Sequence, residues 1–284
     1  MSTGQWNRWW LENPDGPENY VYVLDAADNQ SLETIGTVGP LAQGEQIWSA
    51  RFIEDKAYLV TFRNIDPLWT IDLSDPENPR VMGELEVPGV STYIHPLEDN
   101  FLLTIGYGGD ESGLDWSMQV SLFDVSDFDN ATLVDSLPLA PPEAGGWESW
   151  ASSEALREHK AFQYWEQRKL LAVPLSTYRY YSEEGPNYYY YYYEYLAQLQ
   201  LISVDTGAGL SLYGSVDHSP FYNDNATYYW CGMDVRRSIF MGDYIYALSD
   251  KGVTANLLDT MAPSAAITLP GSDCGYFYID DVAE

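Results

Sequence analysis

Basic residues are scarce in this chain. Thirteen Lys and Arg stand against 43 Asp and Glu, a formal net charge of −30. A surface that grips DNA or RNA phosphates must be basic, so a nucleic-acid partner is not expected. Long hydrophobic runs are missing as well. No stretch approaches the roughly 18 apolar residues of a membrane-crossing helix, so no transmembrane segment is expected in this chain. Cysteine is nearly absent, and neither Cys231 nor Cys274 sits in a Cys-x-x-Cys pair. Zinc binding and thioredoxin-like redox chemistry therefore lack their usual signature. A Cys231–Cys274 disulfide is one expectation, in an oxidising compartment; two unpaired core thiols are the other. The opening residues lack the basic start and apolar run of a secretory signal, so any export signal is expected outside this chain.

What the chain does hold is aromatic residues, with 24 Tyr and 10 Trp. Aromatics favour strands and pack between sheets. The acids are scattered rather than set in ligand spacing, which favours a hydrated acidic surface over divalent-cation binding or a cationic partner. Within this composition one phrase repeats. Asp72-Leu73-Ser74-Asp75 closes one alternating apolar run, and Asp124-Val125-Ser126-Asp127 closes another 52 residues later. A period of that size in strand-rich sequence points to propeller blades.

Turn signals divide the rest in the same way. Residues 45–89 read as four strands joined by short turns, and 90–142 repeat that order. Residues 150–219 form a longer unit and 233–270 a fifth. Residues 1–40 read as a partial N-terminal blade, with strands at Tyr20–Asp25 and Leu32–Val38 and an end at Gly39-Pro40. Residues 271–284 form a polar tail. The segment 155–164 can be read as a short helix, although a strand followed by a turn at Glu166 fits the blade order better. The fold class expected is all-β: a single propeller domain over 1–284, with about four complete four-stranded blades and a partial one.

Four stretches carry a family resemblance: Ile47 to Pro79, Pro88 to Pro96, Ser153 to Phe162 and Arg237 to Ser249. Together they resemble a family of secreted bacterial and archaeal proteins with a C-terminal β-propeller distantly related to WD40 repeats. The resemblance implies an exported propeller, extracellular or at the cell envelope. It carries over no catalytic residue. Its members are much longer, which implies that this chain is the C-terminal part of a longer propeller. The insertion from Ser176 to Asn187, running into Tyr188–Tyr193, departs from the family pattern.

That insertion is the leading candidate site. Tyr188, Tyr189, Tyr190, Tyr191, Tyr192 and Tyr193 lie beside Tyr178, Tyr180, Tyr181 and Tyr195. Tyrosines make good contact surfaces for a protein or carbohydrate ligand at low entropy cost. The competing reading is a hairpin that packs on its own blade. For Ca²⁺ the candidate ligands are Asp110, Glu111 and Asp115, in a loop that lacks the full EF-hand pattern. The repeated Asp-x-Ser-Asp reads as turn chemistry, with side-chain oxygens accepting from nearby backbone N–H groups. His95, His159 and His218 are read as structural, and no Gly-x-Ser-x-Gly elbow supports a hydrolase triad. Asn29, Asn130 and Asn225 open Asn-x-Ser/Thr sequons. The expected function is a non-catalytic extracellular module that binds a protein or glycan, with no cofactor. The alternatives are a hydrolase or lyase with its site in the central funnel, and a Ca²⁺-stabilised cell-surface scaffold.

Overall fold

The alternating apolar runs form antiparallel strands, and the Asp-, Asn-, Gly- and Pro-rich stretches join them. The computed structural model describes residues 2–4, 17–26, 31–62, 66–87, 89–109, 117–139, 151–184, 189–221 and 234–270; for 178–194 it describes the backbone. The first sheet holds β1 (Ser2–Gly4), β2 (Asn19–Asp25) and β3 (Glu33–Leu41). The second runs β4 (Gln46–Ile53), β5 (Lys56–Phe62), β6 (Asp66–Asp72) and β7 (Arg80–Val87) in chain order. The third repeats it with β8 (Val90–Leu97), β9 (Phe101–Gly108), β10 (Ser117–Asp124) and β11 (Thr132–Pro138). The fourth contains β12 (Ala151–Ser152), β13 (Gln163–Trp165), β14 (Leu170–Glu184), β15 (Tyr189–Asp205) and β16 (Gly209–Asp217). The fifth is β17 (Val235–Met241), β18 (Tyr244–Ser249), β19 (Gly252–Leu257) and β20 (Pro263–Thr268). The protein is nearly all β, built from successive antiparallel sheets, as a propeller requires.

Two details depart from the sequence reading, and one choice it left open is decided. The first sheet has a third strand, β1, paired to β2 through Thr3 and Tyr20. Gly39-Pro40 does not end β3, which runs on to Leu41. The 155–164 segment is not a helix: it forms 3-10 turns at Glu154–Leu156 and His159–Ala161 and then the short strand β13, with a turn at Glu166–Arg168 after it, in the blade order. Ser153 caps the first turn by accepting from Ala155 N at 3.1 Å.

By packing, the chain divides into two compact units: Met1–Pro142 with Val204–Ser211, and Glu143–Ser203 with Leu212–Glu284. In the first unit β5 is buried on both faces. Ala57 and Leu59 pack with Val21 and Leu41 of the first sheet, while Tyr58 and Val60 pack with Ile94, Leu102 and Phe123 of the third. That is why Ala57 to Thr61 is a continuous apolar run closed by threonine rather than an alternating one. In the second unit Leu170, Ala172, Leu199 and Leu201 pack against Val235, Ile245 and Ala247. The outer strands β7, β11 and β20 are largely exposed.

Neighbouring sheets meet through a turn pressed into a notch. The turn after β6 places the Pro76 carbonyl against Gly36 of β3, where a Cβ would lie 2.1 Å from that oxygen. The turn after β10 repeats this one sheet later: the Asp129 carbonyl would lie 2.5 Å from a Cβ on Gly83 of β7. Thr70 Oγ1 donates to the Phe128 carbonyl at 2.7 Å and holds the turn down. In the second unit it is the Met261 side chain, not a backbone oxygen, that closes on Gly214 of β16.

Replacing Gly83 with alanine therefore has a defined consequence. The backbone oxygen of Asp129 cannot yield as a flexible side chain would, so Gly83→Ala is expected to cost about 1–3 kcal/mol through overpacking. Val81→Ala, at an exposed site two residues away on the same strand, is expected to stay within about 0.5 kcal/mol. Urea denaturation of the two variants checks this; equal destabilisation would remove the notch as a structural constraint.

Candidate functional site

The insertion expected between strands in the fourth sheet is an extension of the strands themselves. β14 and β15 pair without a slip from Leu170↔Ser203, through Tyr178↔Tyr195, to Glu184↔Tyr189. At about 3.4 Å per residue, the 15 residues of β14 reach about 50 Å. Its other partners cover only its first half. β13 pairs with Leu170–Ala172, and β12 with Ser176 and Thr177. Beyond Thr177 the hairpin is a two-stranded ribbon among the described residues.

Directly opposed residues share a face, and faces alternate along each strand. The register therefore puts 178, 180, 189, 191, 193 and 195, all tyrosine, on one face of the ribbon. Ser182 and Glu184 complete that face. The other carries Arg179, Tyr181, Glu183, Tyr190, Tyr192 and Glu194. The sequence reading divided the six-tyrosine run evenly between faces. It missed that the opposing strand adds Tyr178 and Tyr180 to one side, because that depends on the register.

The root of this face is tied down by a carboxylate. Asp234, just before β17, accepts from the Ser176 hydroxyl and from the Tyr195 hydroxyl at the same oxygen. Below it Ala197 is fully buried, with Tyr195 and Phe221 packed against it. Ala197 N donates to Ser219 Oγ at 3.2 Å, and its carbonyl accepts from His218 N at 2.8 Å. Ser176 and Asp234 carry no signal in the sequence, since neither lies in a motif and their contact joins positions 58 residues apart. Tyr189 to Tyr193 lie on β15, whereas Tyr188 falls outside the described residues. So do Asp110, Glu111 and Asp115, Cys231 and Cys274, and the sequons at Asn29 and Asn225.

The repeated Asp-x-Ser-Asp phrase makes the same bonds twice. Asp72 Oδ1 accepts from Ser74 N at 2.9 Å, and Asp124 Oδ1 from Ser126 N at 2.8 Å. Asp75 accepts from Glu77 N and the Asn78 amide, and Asp127 from Asp129 N and the Asn130 amide. Hydrogen bonds from Ser74, and then from Arg80, hold the Asp72 carboxyl down at about 2. These carboxylates spend their lone pairs on their own turn.

The histidines occupy three different environments. His159 is exposed beside Glu158 at 3.5 Å. His95 is half-buried on β8, with Tyr93 OH 3.4 Å from its Nδ1. Burial first, and the Arg51 cation second, push its pKa down to about 4. His218 is fully buried, with Nδ1 3.1 Å from Ser249 Oγ and Nε2 2.9 Å from Thr254 Oγ1. A serine beside a histidine has the distance of a nucleophile and its base. Here Ser249 is itself buried and bonded to the Gly252 backbone, and both ring nitrogens face hydroxyls rather than a carboxylate. The pair ties the end of β16 to the β18–β19 turn.

The beta propeller domain family matches residues 3–261. An uncharacterized protein of Methanocaldococcus jannaschii is 40% identical over 166 residues, 58% of this chain and 24% of its own length. One of Archaeoglobus fulgidus is 36% identical over 163 residues, 56% and 23%. The chain thus spans about a quarter of the length of the curated relatives it matches. Among solved structures, the Myceliophteria thermophila Cps50 (Swd1) beta-propeller domain is similar at 11% identity and a TM-score of 0.36, over 94% of this chain and 85% of that one. The AfRom2 CNH domain follows at 9% and 0.28, over 89% and 78%. Superpositions this loose carry no argument about function.

The buried His218 sets a pH dependence. Burial pushes its pKa from 6.5 to about 4. Between those values the unfolded chain takes up a proton that the folded chain refuses, so stability present above pH 6.5 is lost as pH falls toward 4. In urea denaturation from pH 7 to pH 5, wild type is expected to lose stability faster than His218→Gln. A constant difference between the two across that window would show that the ring is not held neutral.

Proposed function

The chain belongs to the beta propeller domain family, and on that premise we propose that it is a non-catalytic, extracellular interaction module that binds a protein or glycan through propeller-face loops, with the tyrosine hairpin foremost. One observation carries this reading: the β14–β15 register gathers tyrosines at 178, 180, 189, 191, 193 and 195 on one face of a ribbon that outreaches its sheet. A protein that needed the hairpin only for its own core would gain little from strands extended past their other partners. Tyrosine offers a large flat surface with two rotatable bonds and a polar tip, which suits contact with peptide or sugar rings. Extracellular placement rests on the resemblance of 47–79, 88–96, 153–162 and 237–249 to exported propellers.

The test is a hairpin-shortened variant in which Asn-Gly replaces residues 179–194. Tyr178 and Tyr195 already oppose each other, so a two-residue turn can close the pair. Expected results are an unchanged melting temperature, loss of retardation in gels containing soluble polysaccharides, and loss of cross-links to envelope-fraction proteins. If the shortened protein keeps every interaction of the wild type, the hairpin is not the binding element.

A further inference from the structure

Among the described residues Arg51 is a cation without a counter-charge. It is half-buried on β4, the edge strand of the second sheet, and two contacts bracket it. Ser49 Oγ donates to the Ser91 carbonyl of β8 at 2.8 Å, and Ile53 packs in the same core as Ile94 of β8. Alternation along β4 places Arg51 between them, on the side of β8. There its charge is felt by Tyr93 and His95.

Among the described residues no carboxylate pairs with Arg51, and its Nε is buried with no hydrogen-bond partner. Arg236 Nε is also buried without a partner, but the Nη groups of Arg236 reach carboxylates, and so do those of four described arginines in all. Arg80 holds Asp72 at 2.8 Å; Arg168 holds Asp259; Arg236 and Arg237 share Glu154. No described carboxylate reaches this guanidinium, although it is half removed from water. A buried donor without an acceptor is unfavourable, and more so when it is charged. The acceptor that matches a planar guanidinium fork is a planar carboxylate, which takes two parallel N–H bonds.

We propose that Arg51 anchors a carboxylate-binding site on the edge strands β4 and β8. The carboxylate belongs to a ligand, either a free small acid or the C-terminus of a peptide. This site is separate from the tyrosine hairpin, so either can fail while the other stands.

The test titrates ¹⁵N-labelled protein with acetate, with trialanine, with trialanine amide and with inorganic phosphate, at one fixed ionic strength because the −30 field acts on every anion. The readout is the Arg51 Nε–H resonance, assigned by its loss in Arg51→Lys. The expected result is a saturable shift with acetate or trialanine and none with the amide. Binding, followed in both proteins by the backbone amide resonances of Ser91 and Tyr93, should weaken at least about tenfold in Arg51→Lys, which keeps the charge and loses the fork. Arg80→Gln, at an exposed pair, should leave it unchanged. Saturation by trialanine but not acetate assigns a peptide terminus; saturation by both assigns the carboxylate alone. No saturable shift, tighter binding of phosphate than of either acid, or equal binding in Arg51→Lys overturns the proposal. If Arg51→Lys does not fold, nuclear Overhauser contacts from the acetate methyl to Ser91 and Tyr93 in the wild type decide, and their absence overturns it.

Discussion

The carbonyl of Pro76 reaches almost to the position that a Cβ on Gly36 would occupy, and the carbonyl of Asp129 stands against Gly83 in the same way. Each turn grips itself first, through the paired aspartates of its Asp-x-Ser-Asp phrase, and then offers a backbone oxygen to the neighbouring sheet. The phrase shapes the turn, and the glycine makes room for it. A third instance inverts the parts. Asp135 stands where a notch glycine would be, and its carboxylate accepts from Leu210 N at 2.7 Å while glycine moves to the turn as Gly209, at φ +96. One side of each junction must give up its Cβ, and either side can do so.

Once the turns set that spacing, the inner strands have no free face. β5, β9 and the start of β14 are sandwiched, so they read as continuous apolar runs, while β7, β11 and β20 are exposed. The same constraint explains where the fold tolerates an extension. A strand cannot lengthen between junctions without moving a turn out of its notch. β14 and β15 lengthen at the end remote from the Asp205 turn, where Asp205 Oδ1 still accepts from Gly207 N and Ala208 N at 2.9 Å. Seventeen residues of β15 thus join the sheet at one end and leave it at the other. The bonds of Ser176 and Tyr195 to Asp234 mark where it leaves.

Local chemistry was legible in the sequence wherever a short phrase makes its own bonds. Asp72 to Asn78 and Asp124 to Asn130 could be read as turns because their partners lie within three residues. The strands of the second and third sheets could be read because burial on two faces leaves a dense apolar signature. Gly36 and Gly83 could not be read as notches, since an isolated glycine in a strand pattern looks like a weak point or a bulge until the approaching backbone is known. The tyrosine face was hidden for a related reason: it is a property of two strands in register, and a single run of tyrosines alternates. Asp234 and Arg51 were silent. A residue that matters through a contact 58 positions away, or through the absence of a contact, has no local pattern to betray it.

Charge separates the two surfaces. At physiological ionic strength the field of −30 is screened within about 8 Å, so it governs approach more than contact. Stacking on tyrosine is largely indifferent to that field, and an aromatic ribbon can engage a neutral partner that a purely ionic surface would not hold. Arg51 works under the opposite condition. An anion must come through a repulsive exterior to reach it, and only a short-range, directional pair in a half-dehydrated position can outweigh that approach. That directional pairing is what the arginines at 80, 168, 236 and 237 already make with carboxylates of the chain, and what Arg51 would make with a carboxylate from outside it.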